Sequence, residues 1–130
     1  MINFKYVFMK ILIVDDEVNI TEALKAYLSE KHDVICFNDP LTALSHYSEN
    51  NEYSVIITDF LMPNLRGDEM IEKMFDQNPS QSFIVISGFF TKQLTDVLKK
   101  SNAYIKMIDK PIEPKELELS LDSISKIQSC

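Results

Sequence analysis

Only two glycines, Gly67 and Gly88, occur in 130 residues. Neither a Gly-x-Gly-x-x-Gly turn nor a Walker phosphate loop can be built from them, so the usual nucleotide-binding signatures are missing. Cysteine is equally scarce: Cys36 lies inside a strand-like run and Cys130 at the terminus. Such a pair makes no disulfide framework and lacks metal-ligand spacing, which favours a cytoplasmic setting. Basic residues number 13 against 20 acidic, and a net charge of −7 argues against direct nucleic-acid binding. No apolar run approaches the length of a membrane span. No hydrophobic core of signal-peptide length opens the chain. There is no internal repeat, low-complexity tract or linker. What remains is the expectation of one domain, with 45% hydrophobic residues to build its core.

Within that domain, strand-like and helix-like segments alternate five times. Strands are expected at Lys10–Val14, Asp33–Phe37, up to Thr58, at Phe83–Ile86 and after Ala103. The helix after Asp16 should turn Ile20, Ala23, Leu24, Tyr27 and Leu28 inward, by their helical spacing. Asp39-Pro40 reads as an N-cap with proline at the first helical position, and Leu41, Leu44 and Tyr47 as that helix's inner face. Gly67 opens a third helix with Met70, Ile71, Met74 and Phe75 inward, ended by Asn78-Pro79. Thr91 is expected to cap a short fourth helix carrying Leu94, Val97 and Leu98. Pro114 opens the last, with Leu117, Leu121, Ile124 and Ile127 on one stripe. This alternation predicts an α/β fold, a parallel sheet with helices on both faces. The first, third and fourth strands are almost wholly apolar, as strands buried on both faces should be.

Polar residues follow the strands at informative places. Ile11-Leu12-Ile13-Val14 runs into Asp15-Asp16, Val55-Ile56-Ile57-Thr58 into Asp59, and Phe83-Ile84-Val85-Ile86 into Ser87. Tyr104-Ile105-Lys106-Met107-Ile108 leads to Lys110. In an open parallel sheet, ligands bind at the carboxyl ends of the strands. Three carboxylates there suit a Mg²⁺ ion, which prefers oxygen ligands and several waters. A carboxylate such as Asp59 can act as a nucleophile toward phosphorus. Lys110 offers a movable positive charge for phosphate oxygens, and Ser87 a hydroxyl donor. Each has a bland reading alone: Asp15-Asp16 as a solvated turn before a helix, Ser87-Gly88 as a turn, Lys110-Pro111 as a strand exit. Coincidence of all of them at strand ends is improbable.

Ile11-Leu12-Ile13-Val14-Asp15-Asp16-Glu17, Asp59-Phe60-Leu61-Met62-Pro63 with Gly67, Ile86-Ser87-Gly88 and Lys110-Pro111 together resemble the receiver domain of two-component response regulators. The resemblance covers about Met9 to Gln128. It implies a doubly wound (βα)5 flavodoxin-like fold with a five-stranded parallel sheet of order 2-1-3-4-5. It also implies that Asp59 accepts a phosphoryl group from a sensor histidine kinase or phosphotransfer protein. Asp16, Asp59 and the backbone carbonyl of Leu61 would hold Mg²⁺ directly, and Asp15 mainly through metal-bound water. Lys110 and Ser87 would contact the phosphoryl group, and the Lys110-Pro111 bond would be cis. The readout face would be the fourth helix, fifth strand and fifth helix, signalling to a downstream protein target or an output domain on a longer chain.

Three features depart from the family pattern. Met107 stands where an aromatic residue is usual, three before the lysine, so it lacks a ring to flip. Leu61 and Phe89, two residues beyond Asp59 and Ser87, should shield an acyl phosphate from water and slow its loss. Phe89-Phe90 lies beside the expected readout face, where two exposed rings would suggest partner docking. Residues 1–8 read as an N-terminal extension before a receiver domain at 9–130. Their alternation of Ile2, Phe4, Tyr6 and Phe8 allows an added edge strand or a dimerising arm. The chain stops soon after the last helix, with no output domain expected within it. Other readings are a receiver-shaped module that works without phosphate, a Mg²⁺-dependent phosphatase, and a nucleotide-binding flavodoxin-like protein. Leu61 counts against the phosphatase, because it cannot protonate a leaving group, and the missing glycine loops count against the last.

Overall fold

A computed structural model describes residues 8–88, 95–96 and 104–128. Five strands, β1 (Lys10–Val14), β2 (Asp33–Phe37), β3 (Val55–Asp59), β4 (Phe83–Ser87) and β5 (Ile105–Asp109), form one sheet in the order β2-β1-β3-β4-β5. All four pairings are parallel. Among the described residues the helices are α1 (Val18–Leu28), α2 (Pro40–Glu49), α3 (Gly67–Gln77) and α4 (Pro114–Gln128). Residues 1–7, Phe89, Phe90, Cys130 and all of the expected 91–98 helix except Thr95 and Asp96, which are helical, lie outside the described residues. No described helix is long and apolar enough to cross a membrane.

Alternation within the strands divides the core into two layers. Ile11, Ile13, Val55, Ile57, Ile84, Ile86 and Ile108 face one way and pack with Leu24 and Leu28 of α1 and Leu117, Leu121 and Ile124 of α4. Leu12, Val14, Ile56, Phe83 and Val85 face the other, against Ala43 and Tyr47 of α2 and Met70, Ile71 and Met74 of α3. The inner strands β1, β3 and β4 therefore need apolar residues at nearly every position. A buried polar link stitches the second layer: the Tyr47 hydroxyl donates to Gln81 Oε1 at 2.6 Å, and Gln81 Nε2 donates to the Tyr53 carbonyl at 3.0 Å.

The helix ends follow their capping residues. Asp39 has extended backbone, and its carboxylate accepts from the Leu41 N–H at 3.2 Å and the Thr42 hydroxyl at 3.0 Å. Asp39→Ala is expected to destabilise the chain by about 1 kcal/mol; urea denaturation that leaves the midpoint unmoved would contradict this. Asn78 closes α3, its N–H donating to the Met74 carbonyl.

Four expected inward positions are outward in the structure. Leu41 and Ile127 are exposed. The α2 stripe runs through Pro40, Ala43, Leu44 and Tyr47, which places Leu41 about 100° off its centre. Ile127 lies in the last turn, beyond the stripe made by Leu117, Ser120, Leu121, Ile124 and Ser125. On α1, Thr21 takes an inward place, while Ala23 and Tyr27 are exposed and line an apolar groove of about 660 Å³ against Pro111, Ile112 and Leu117. The Tyr27 hydroxyl spans that groove to donate to Glu118.

Candidate functional site

Strand register, rather than proximity in sequence, gathers the polar residues. Val14 pairs with Thr58, Asp59 with Ile86, and Ser87 with Asp109. The residues that follow or end these strands therefore meet at one edge. Carboxylate oxygens of Asp15, Asp16 and Asp59 come within 4.8 Å of one another. Lys110 Nζ donates to Asp59 Oδ2 at 3.0 Å. Ser87 is 1% exposed, and its carbonyl accepts from the Lys110 N–H at 3.0 Å, tying the two strand exits together. The Lys110-Pro111 bond is cis.

Electrostatics in this pocket are unbalanced. Asp15 is 3% exposed and Asp59 6%, whereas Asp16 is half-buried. Burial pushes the Asp15 carboxyl up to about 6; the Glu17 N–H bonded to its Oδ1 opposes that rise, and the Asp59 charge adds to it. Burial alone would pull Lys110 down, but the Asp59 hydrogen bond and the surrounding carboxylates outweigh it and hold its ammonium above the ordinary lysine range. One lysine facing three carboxylates leaves an excess of negative charge. All donors are hard oxygens, two of them almost wholly removed from water. That set fits a small divalent cation such as Mg²⁺ and lacks the nitrogen or sulfur that softer metals favour.

Gly67 holds the loop after Asp59. Its N–H donates to the Phe60 carbonyl at 2.8 Å. A Cβ on it would lie 2.6 Å from the Asp59 carbonyl oxygen and 2.9 Å from Phe60 Cα. Glycine is required here by close backbone approach. Asn64, with φ of 73°, makes the loop's left-handed turn, which asparagine tolerates well. Of the remaining residues singled out in the sequence, Leu61 is 55% exposed and Met107 39% exposed.

Three supporting residues escaped the sequence reading. The Thr58 hydroxyl donates to the Asp59 carbonyl at 2.9 Å. Asn38 Nδ2 donates to the Asp15 carbonyl at 2.8 Å and to Thr21 Oγ1 at 3.0 Å. Thr21 Oγ1 in turn donates to the Val18 carbonyl. The only sequence sign was a run of polar residues, Asn38-Asp39, at a strand exit.

Known proteins agree with this architecture. The Response regulator receiver domain family matches over residues 11–122. Transcriptional regulatory protein FlgR of Helicobacter pylori is 31% identical over 119 residues, covering 89% of this chain and 29% of the relative. Response regulator RppA of Synechocystis is 37% identical over 83 residues, covering 62% of this chain and 35% of the relative. The chain thus spans about a third of the length of these relatives or less. Among solved structures, the N-terminal domain of an uncharacterized protein from Wolinella succinogenes is 29% identical with a TM-score of 0.81, covering 92% of this chain and 96% of that one. A receiver domain protein from Clostridium thermocellum shares the fold, with a TM-score of 0.83 at 24% identity and coverage of 92% and 96%. With its strand order and nearly its full length accounted for by this likeness, the chain belongs to the receiver domain family of response regulators, the signalling domains of two-component systems.

Proposed function

We propose that this chain is a phosphorylation-dependent switch in which Asp59 accepts a phosphoryl group from a sensor histidine kinase or phosphotransfer protein. The observation that carries it is the contact of Lys110 Nζ with Asp59 Oδ2 at 3.0 Å, beside two further carboxylates within 4.8 Å. An Asp59 oxygen would form the new O–P bond as the donor's N–P bond breaks, with the electron pair returning to the donor imidazole. Mg²⁺, held by Asp16, Asp59 and the Leu61 carbonyl with Asp15 acting through water, would offset charge on the phosphoryl oxygens. Lys110 would move its contact from the carboxylate to the phosphoryl group, and Ser87 would donate to it. Because both bind the phosphorylated state differently from the free one, they would shift a pre-existing equilibrium.

Readout would pass to the β5–α4 side of the sheet and the segment between β4 and β5, reaching a downstream protein or an output domain on a longer chain. Met107, exposed on β5, would take part without an aromatic ring. The pocket belongs in a cytoplasmic setting, where kinases and Mg²⁺ meet it, with neither nucleic acid nor membrane as a direct partner. A homodimer is one form the output could take. Labelling from acetyl phosphate should need Mg²⁺ and stop when the metal is chelated; equal labelling with and without chelator would remove the metal from this scheme.

Leu61 is expected to lengthen the life of the phosphorylated form. Its exposed side chain stands two residues past Asp59 and offers an attacking water no hydrogen-bond partner. Leu61→Asn should speed hydrolysis by about tenfold, less than the roughly 10²–10⁴-fold of a general base, because an amide can orient the water but not take its proton. A wild-type phosphate lifetime of seconds, unchanged by the substitution, would rule this out.

A further inference from the structure

We propose that Asn38 is a positioning residue for the Asp15–Asp16 peptide, and that it thereby sets the affinity of the carboxylate cluster for a divalent cation. The inference deepens the functional reading above and rests on its metal site. It begins with the β1–β2 ladder. The Asp33 N–H donates to the Met9 carbonyl at one end, and the Asp15 N–H to the Phe37 carbonyl at 3.1 Å at the other. In a parallel ladder the next rung would be the Asp39 N–H on the Asp15 carbonyl. At that point the main chain of Asp39 leaves the strand to cap α2. The Asn38 carboxamide takes the place of the missing rung, donating to the Asp15 carbonyl at 2.8 Å.

That carbonyl belongs to the peptide plane joining Asp15 to Asp16. Fixing it fixes the direction in which both side chains leave the backbone, and so the spacing of two of the three carboxylates. The same amide nitrogen reaches Thr21 Oγ1 at 3.0 Å, which ties the peptide to the first turns of α1. Asn38 is itself solvent-exposed, but Asp15 and Thr21 are each 3% exposed. Water could satisfy the carbonyl in its absence; it could not hold the peptide against α1 with the same geometry. Its two hydrogen bonds go to the Asp15 carbonyl and the Thr21 hydroxyl and neither to a carboxylate oxygen, so its influence on the cluster runs through the Asp15–Asp16 backbone.

The test compares Mg²⁺ affinity, by calorimetric titration without any phosphodonor, in wild type, Asn38→Leu, Asn38→Ser and Leu28→Ala. Leu28 is buried at the far end of α1, so its loss weakens the fold without reaching the pocket. Asn38→Leu keeps side-chain volume and removes the donors. It should weaken Mg²⁺ binding by about tenfold, at the low end for a group behind the metal ligands. Asn38→Ser, which keeps a hydroxyl donor, should recover part of that loss. Leu28→Ala should lower the melting temperature and leave the affinity unchanged. Wild-type affinity in Asn38→Leu would overturn the proposal, as would an equal loss in Leu28→Ala. If the wild type binds no Mg²⁺, the metal site itself fails, and the amide resonance of Asp16 in the metal-free chain decides the rest. A shifted, faster-exchanging Asp16 N–H in Asn38→Leu supports the peptide-holding role, and an unchanged one overturns it.

Discussion

Replacing Asp15 with Asn should stabilise the metal-free chain and weaken its hold on Mg²⁺. The carboxyl of Asp15 is raised from 3.8 to about 6, by burial above all. A raised carboxyl pKa means that the folded state takes up the proton more readily than the unfolded one. Ionisation of Asp15 therefore costs stability above pH 6, and the cost fades as pH falls toward 4. The full shift corresponds to about 3 kcal/mol; solvent reaching the pocket beside half-buried Asp16 reduces it to about 2 kcal/mol. Asparagine keeps the acceptor for the Glu17 N–H and carries no charge. Asp15→Asn is thus expected to raise stability by about 2 kcal/mol at pH 7.5 and by almost nothing at pH 4. Urea titrations at the two pH values measure both. Mg²⁺ affinity should fall by about tenfold or more, since a carboxylate acting through metal-bound water is lost. In the wild type, affinity should decline as pH drops below 6 and a proton competes for Asp15. A variant less stable than wild type at pH 7.5, or binding Mg²⁺ equally well, would show that the carboxyl is not held ionised against its surroundings.

The second large effect is expected at Gly67. A methyl group there meets backbone atoms of Asp59 and Phe60, not a flexible side chain. Relief requires either the start of α3 or the loop after β3 to move. Gly67→Ala should destabilise the chain by about 3 kcal/mol, at the upper end for an overpacked site. It should also displace the Asp59 main chain, whose carbonyl accepts the Thr58 hydroxyl, and so slow phosphoryl transfer more than it lowers the melting temperature would suggest. The other glycine gives a control: among the described residues, nothing lies within 4 Å of where a Cβ on Gly88 would stand. Gly88→Ala should be well tolerated. Equal stability of the two variants would mean that the Gly67 contact is relaxed in solution.

Much of the sheet was legible because central strands carry a signal that survives without tertiary information. Ile11–Val14, Val55–Ile57 and Phe83–Ile86 must be apolar on both faces, and these three runs, with two more strand-like segments and helical spacing between them, leave few architectures. Helix faces were read less well. Leu41 and Ile127 are apolar residues at helix ends, where a stripe is too short for its centre to be defined by spacing. Tyr27 is amphipathic, and its ring covers α4 while its hydroxyl finds Glu118, a contact 91 residues distant in sequence that no local pattern encodes. Thr21 shows the reverse error. A polar residue faces inward because Asn38 and the Val18 carbonyl satisfy its hydroxyl.

The carboxylates, Lys110 and Ser87 were legible as types at strand exits, and strand register brings them together. Asn38 was not, since its importance depends on a ladder rung left open where Asp39 turns into α2. Supporting residues of this kind are set by where one chain segment leaves another. Their own side-chain chemistry is unremarked in the sequence.

The central claim is that Asp59 takes a phosphoryl group. Intact mass after incubation with acetyl phosphate and Mg²⁺, for wild type and Asp59→Asn in parallel, tests it most directly. A single gain of about 80 Da in wild type, absent from the variant, is the expected result for an aspartyl phosphate at this residue. The same gain in both chains would place the chemistry elsewhere, and no gain in either, with acetyl phosphate or with a histidine kinase as donor, would leave a receiver fold that signals without phosphate.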